Sequence, residues 1–169
     1  MSMIGNFLLV GDQRLDQVLA NPTQVHDLCN EGYDAGEEVF LDVDKAWHCL
    51  HFLLTGTADG GEPPLNFILG GGREVGDEEV GYGPARAFSA QEVAEIARAL
   101  EPIDRSWLVA KFDAGQMDRL EIYPDVGQWS EVDPGSEDSF GYYFGGFESI
   151  KSLVRQGSSA GLGMLAWLS

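Results

Sequence analysis

The stretch Asp42-Val43-Asp44-Lys45-Ala46-Trp47-His48-Cys49-Leu50-His51-Phe52-Leu53-Leu54-Thr55-Gly56 carries the strongest periodicity in the chain. At about 100° per residue, Val43, Ala46, Trp47, Leu50, Leu53 and Leu54 fall on one side of a helix, a stripe wide enough to seat the segment in a core. Asp42 or Asp44 can cap its start, and Gly56 supplies the left-handed residue on which many helices end. A neighbouring polar stripe holds Asp44, His48, His51 and Thr55, collecting two of the three histidines of the chain.

Upstream, the apolar run Ile4–Val10 has no basic flank and is far short of the ~20 residues of a membrane span, so Met3–Val10 reads as a strand and the expected compartment is the cytoplasm. Asp12 can cap a short helix with Leu15, Val18 and Leu19 on its buried face, stopped by Asn21-Pro22. A polar, glycine-containing stretch then leads to a short strand at Val39-Phe40-Leu41. Downstream, Thr57 to Tyr82 reads as loop, with Pro63-Pro64, Gly70-Gly71-Gly72 and the acids Glu74, Asp77, Glu78 and Glu79. Ser89-Ala90-Gln91-Glu92 is a capping box for a helix that buries Val93, Ile96, Ala97 and Leu100. Asp104 can cap another that turns Trp107, Leu108 and Phe112 inward, with a helical turn around Met117 and Leu120 after it. Phe140 to Arg155 keeps a helical period through Tyr143, Phe147, Ile150 and Val154, and Leu162–Leu168 is a short buried strand.

With 169 residues, 44% of them apolar, the chain is expected to form one domain that buries about 70% of its unfolded surface. Strands at both ends with helices between them do not alternate as βαβ units do, which predicts an α+β fold with a small mixed sheet packed against several helices. Ten basic against 28 acidic residues leave a formal charge of −18, which opposes binding to nucleic acid or to an anionic membrane. Cys29 and Cys49 suggest free thiols rather than a disulfide framework, with Cys49, amid apolar residues, as a small buried hydrophobe.

The polar stripe is the densest candidate chemistry. Asp44 and His48 at i, i+4 can orient an imidazole, and His48 with His51 at i, i+3 can share a proton or a metal. The simpler reading is structural, since such pairs stabilise a helix by ~0.2–0.5 kcal/mol and histidines at a core margin commonly donate to a carbonyl. His48-Cys49-Leu50-His51 lacks both the spacing and the glutamate of a zincin, so no metal or other cofactor is expected. Gly70-Gly71-Gly72-Arg73 has no following Lys-Ser/Thr and is not a phosphate loop. In Gly-Tyr-Gly-Pro-Ala-Arg at 81–86, a turn presents Tyr82 and Arg86, and Arg86 is expected to pair with Glu121 or Asp42. No G-x-S-x-G nucleophile elbow and no EF-hand register occur.

Several segments taken in order are similar to one family. Met-Ile-Gly at 3–5, LDVDKAWHCLHFLLTGT at 41–57, Leu-Gly-Gly at 69–71, GYGPARAFSAQEVAEIARAL at 81–100, EIYP at 121–124 and the apolar last strand resemble the YfbM-like family of small bacterial proteins. Its most distinctive pattern, L-D-x-D-K-x-W-x-x-L-H-F-x-L-T-G, fits from Leu41 to Gly56. The resemblance implies a single α+β domain of the bacterial cytoplasm and no established reaction. The pattern has His51 at a specified position and His48 at a free one, which favours His51. Asp42, Asp44, Trp47, Thr55, Tyr82, Arg86, Glu121 and Tyr123 are the groups that a site around it would draw on.

Two functions follow from these residues. The first is an acidic binding protein, such as a stoichiometric inhibitor or an immunity-type protein, that draws in a basic partner by electrostatic steering and needs no catalytic group. The second is a small-ligand or hydrolytic domain, with His51, Asp44 and Glu121 as candidate catalytic groups and Asp42, Trp47, Thr55, Tyr82, Arg86 and Tyr123 as candidate ligand contacts. Neither sets an oligomeric state.

Overall fold

A computed structural model describes residues 2–169. Strands β1 (Gly5–Val10), β2 (Phe40–Asp42), β3 (Arg73–Glu79), β4 (Pro84–Phe88) and β5 (Gly163–Leu168) form one sheet in the order β2-β1-β5-β4-β3. Every neighbouring pair is antiparallel, so the expected mixed sheet is corrected to an antiparallel one. The connections allow it: β3 and β4 form a hairpin, helical excursions return the chain antiparallel from β1 to β2 and from β4 to β5, and β5 then closes against β1 from the far end of the chain.

Helices cover both faces. Phe7 and Leu9 of β1, with Met164 and Ala166 of β5, point into the larger core, shared with α3 (Trp47–Thr55), α4 (Ala90–Leu100), α5 (Arg105–Lys111), α6 (Ala114–Arg119) and α7 (Glu137–Ala160). Leu8, Val10, Leu165 and Trp167 point the other way, onto α1 (Asp12–Ala20) and α2 (Val25–Asp34). This two-sided burial explains why both central strands read as nearly continuous apolar runs rather than alternating ones. Two helices approach the sheet too closely for a side chain. A Cβ on Gly5 would lie 2.7 Å from Trp47 Cβ, and one on Gly157 of α7 would lie 2.7 Å from Leu9 Cδ2.

Four local expectations are corrected. The polar stretch after Pro22 holds α2, whose Val25, Leu28, Cys29 and Gly32 make a buried stripe that its polar residues mask. The acids 74–79 lie on an edge strand, β3, with a register shift between Glu74 and Glu79. Residues 84–88 are strand β4 rather than part of a turn, because β5 pairs with Arg86, Ala87 and Phe88. Asp12 makes no cap for α1 but accepts from the Ala90 amide at the start of α4, at 2.9 Å. The capping box at Ser89 and the Asp104 cap form as expected, whereas Leu120 is exposed.

Candidate functional site

The central helix begins as a single 3-10 turn, Asp44–Ala46, and runs as α3 to Gly56, whose φ of 73° ends it. Trp47 is its anchor. The indole is 4% exposed, donates to the Met3 carbonyl at 3.0 Å, and stacks on the His48 ring at 4.8 Å and the Tyr123 ring at 5.8 Å.

His48 is held at both nitrogens. The Tyr123 amide lies 3.0 Å from Nδ1 and the Ala58 carbonyl 2.8 Å from Nε2. An amide N–H can only donate, so Nδ1 is the acceptor and the proton resides on Nε2, which donates to Ala58. Burial holds its pKa below the ordinary value, against the opposing pull of Ala58 and Asp59. The ring ties α3 to the loop after it and to the turn before Pro124.

His51 lies one turn further on, with no solvent exposure, and neither ring nitrogen has a hydrogen-bond partner. Burial first and then the neighbouring His48 lower its pKa to about 4, with a smaller push from Arg86; the Gly60 backbone and Asp59 act the other way, although neither ring nitrogen has a hydrogen-bond partner. At neutral pH it is an uncharged ring enclosed in the core. A group in that position cannot exchange a proton with a substrate unless the fold opens.

The other candidates do not gather around it. Asp44 sits at φ 47° in the 3-10 turn, too early to face His48 as an i, i+4 partner in regular helix, and accepts instead from the Tyr142 hydroxyl at 3.0 Å. That hydroxyl accepts from the Lys45 amide at 3.0 Å, and burial with the Asp44 carboxylate raises its pKa to about 12. Asp42 accepts from the Asp44 amide at 2.8 Å, shaping the turn ahead of the helix, and Thr55 donates back to the His51 carbonyl at 2.8 Å. Glu121 is exposed at φ 53° in the turn that carries Tyr123.

Arg86 pairs with neither Glu121 nor Asp42. Its Nη1 donates to the carbonyls of Phe67 at 2.9 Å and of Gly70, and its Nη2 to that of Ile68. These are backbone oxygens of a tight turn that no helix partner satisfies, so the guanidinium closes the 67–71 segment onto β4. Burial lowers its pKa to about 10, and Glu74 opposes the shift. Arg86 and Tyr82 do meet, in a shallow pocket of about 160 Å³ with Glu74, Pro84 and Trp167, without His51.

Two features went unread in the sequence. The Tyr143 hydroxyl donates to Asp125, and burial with that bond pushes its pKa well up. A cleft of about 560 Å³ opens between β2 and α7, lined by Glu37, Phe40, Leu41 and Asp42 on one side and by Ser149, Ser152, Leu153 and Gln156 on the other. Spacing offers only a faint signal for it: the α7 residues stand at i, i+3, i+4 and i+7, one helical stripe, opposite a short predicted strand.

A family model described as a domain of unknown function, DUF1877, matches residues 1–167. The chain belongs to the DUF1877 family. Protein YfbM of Escherichia coli strain K12 is 31% identical to it over 134 residues, 75% of each chain. The crystal structure of YfbM from Escherichia coli, titled as a protein of unknown function, matches with a TM-score of 0.71 at 25% identity, over 98% of this chain and 99% of that one. The α+β fold of this DUF1877 protein is therefore that of YfbM. No helix of the described residues is long and apolar enough to cross a membrane, and no group of three or more His, Cys, Asp or Glu among them is placed to hold a metal ion.

Proposed function

We propose that this DUF1877 protein is a non-catalytic binding protein that takes a basic protein partner in the cleft between β2 and α7, in the manner of a stoichiometric inhibitor or immunity protein. The observation that carries this reading is charge placed on shape. The chain has a net charge of −18, and the cleft of about 560 Å³ between β2 and α7 is lined by the carboxylates Glu37 and Asp42 with no lysine or arginine. Such a field speeds encounter with a cationic surface and turns away anionic ones. The rival reading, a ligand or hydrolytic site around His51 and Arg86, has less support, because one ring is enclosed and the guanidinium is spent on backbone carbonyls.

The test is capture from a lysate of the source organism at low salt, using the wild type beside the double variant Glu37→Lys/Asp42→Asn. Asparagine keeps an oxygen for the Asp44 amide, so the turn is preserved. The expected result is a basic protein bound one to one by the wild type, released as salt rises, and absent from the variant. Failure to retain any basic partner at low salt, or equal retention by the variant, would overturn the proposal.

A further inference from the structure

The cleft has an unusual pair of walls. Phe40, Leu41 and Asp42 are consecutive strand residues whose side chains alternate between faces, so a cleft touching all three runs along the edge of the sheet rather than over one face. β2 is the end strand, with β1 as its neighbour on the inner side.

The ladder shows which backbone groups face outward. The Val43 amide donates to Gly5 at 2.9 Å and the Leu9 amide to Val39 at 2.7 Å, while Leu41 stands opposite Phe7. Positions 39, 41 and 43 are thus the ones that bond to β1, and in an antiparallel ladder the intervening residues 40 and 42 turn their N–H and C=O groups the other way. The Phe40 amide is taken by the Gly36 carbonyl at 3.2 Å. The Phe40 carbonyl and the Asp42 amide and carbonyl have no partner among the described residues. They form a short row of one donor and two acceptors beside two carboxylates.

The opposite edge of the sheet is irregular and partly covered. β3 slips register between Glu74 and Glu79, and Gly76 within it packs so tightly against Pro22 that an added Cβ would lie 2.6 Å from the Pro22 Cβ. Bulges and covering turns of this kind are how proteins close an edge.

We infer that the cleft takes an extended basic segment, which adds to the free edge of β2 as a further antiparallel strand and sets its cationic side chains against Glu37 and Asp42. The inference rests on the reading of this cleft as the binding site for a basic partner. Backbone hydrogen bonds to residues 40 and 42 supply register, and the acids supply the choice of partner. A second copy of this chain fits poorly, because two edges that each carry the same carboxylates, on molecules of charge −18, repel.

The experiment uses a short fluorescent peptide of alternating lysine and valine, a glutamate–valine control, and a lysine–valine peptide N-methylated on one row of amides. Binding is read by anisotropy at low salt, together with amide exchange at Asp42 by NMR. The expected result is saturable binding of the lysine peptide alone, weakened about tenfold by Glu37→Lys/Asp42→Asn, weakened at least about tenfold by N-methylation, and slowed exchange of the Asp42 amide. If the charge variant weakens binding but N-methylation and Asp42 exchange do not respond, strand addition is overturned while the acidic cleft stands. If the lysine peptide does not bind, or binds the variant as well as the wild type, the acidic-cleft reading falls and strand addition with it.

Discussion

His48 and His51 stand one turn apart on the same helix and meet opposite surroundings. The ring of His48 rests against Trp47, has a partner for each nitrogen, and joins three segments of chain. His51 is sealed more completely, yet both nitrogens are unpartnered. The difference shows that burial and bonding are supplied separately. α3 buries both side chains to some degree, but only the distant loops at Ala58 and Tyr123 deliver hydrogen bonds, and they deliver them to one ring. His48 therefore behaves as a polar strut and His51 as a space-filling group without hydrogen bonds.

Three measurements sharpen or break this contrast. His48→Leu has the largest expected effect, because it leaves the Tyr123 amide and the Ala58 carbonyl unpaired near the core. The expected loss is about 2–4 kcal/mol in denaturant unfolding at pH 7. A loss below about 1 kcal/mol would mean that water replaces the ring without cost, and the strut would be no strut.

The second measurement is the pH dependence of stability. The His51 pKa in the fold, about 4, lies below its unfolded value of 6.5, so between these values the unfolded chain holds the extra proton. The contribution of the neutral ring is thus complete above about pH 6.5 and drains away as pH falls toward 4, reaching a penalty of about 2 kcal/mol by pH 5. Comparing wild type with His51→Leu isolates this from His48 and the carboxylates: the variant should gain on the wild type steadily from pH 7 to 5. Parallel stability curves over that range would show that His51 finds a proton acceptor in solution.

The smallest effect is expected from His51→Leu at pH 7. Replacing an unpartnered buried ring by an apolar side chain of similar size should leave the unfolding free energy within about 1 kcal/mol of wild type, of either sign. A loss of 3 kcal/mol or more would place His51 beside His48 as a bonded group and end the distinction between them.

Much of the frame was legible from local pattern. The helical stripe of Trp47, Leu50 and Leu53, the Ser89 capping box, the period of α7 and the apolar end strands all depend on neighbours within a few residues, where sequence spacing and spatial proximity coincide. α2 is not legible because Asp27, Asn30 and Glu31 interrupt a stripe of only four buried residues, one of them a glycine. β3 is not legible because an acidic edge strand with a glycine at φ 61° has the composition of a loop. The candidate site was legible only as a set of chemically suitable side chains. Arg86 was expected to meet a carboxylate, yet the nearest oxygens belong to the backbone of residues 67–70, which no count of acids could reveal.

By itself the sequence determined the amphipathic central helix, the class of fold, the family and the acidic surface, because each is a property of residue type summed over a segment or over the chain. Tertiary structure alone decided which histidine is bonded, where Arg86 spends its charge, and that β2 is left with a free edge facing α7. Those outcomes turn on contacts between residues tens of positions apart, and hydrogen bonds of about 3 Å are satisfied or lost by displacements far smaller than any periodicity can resolve.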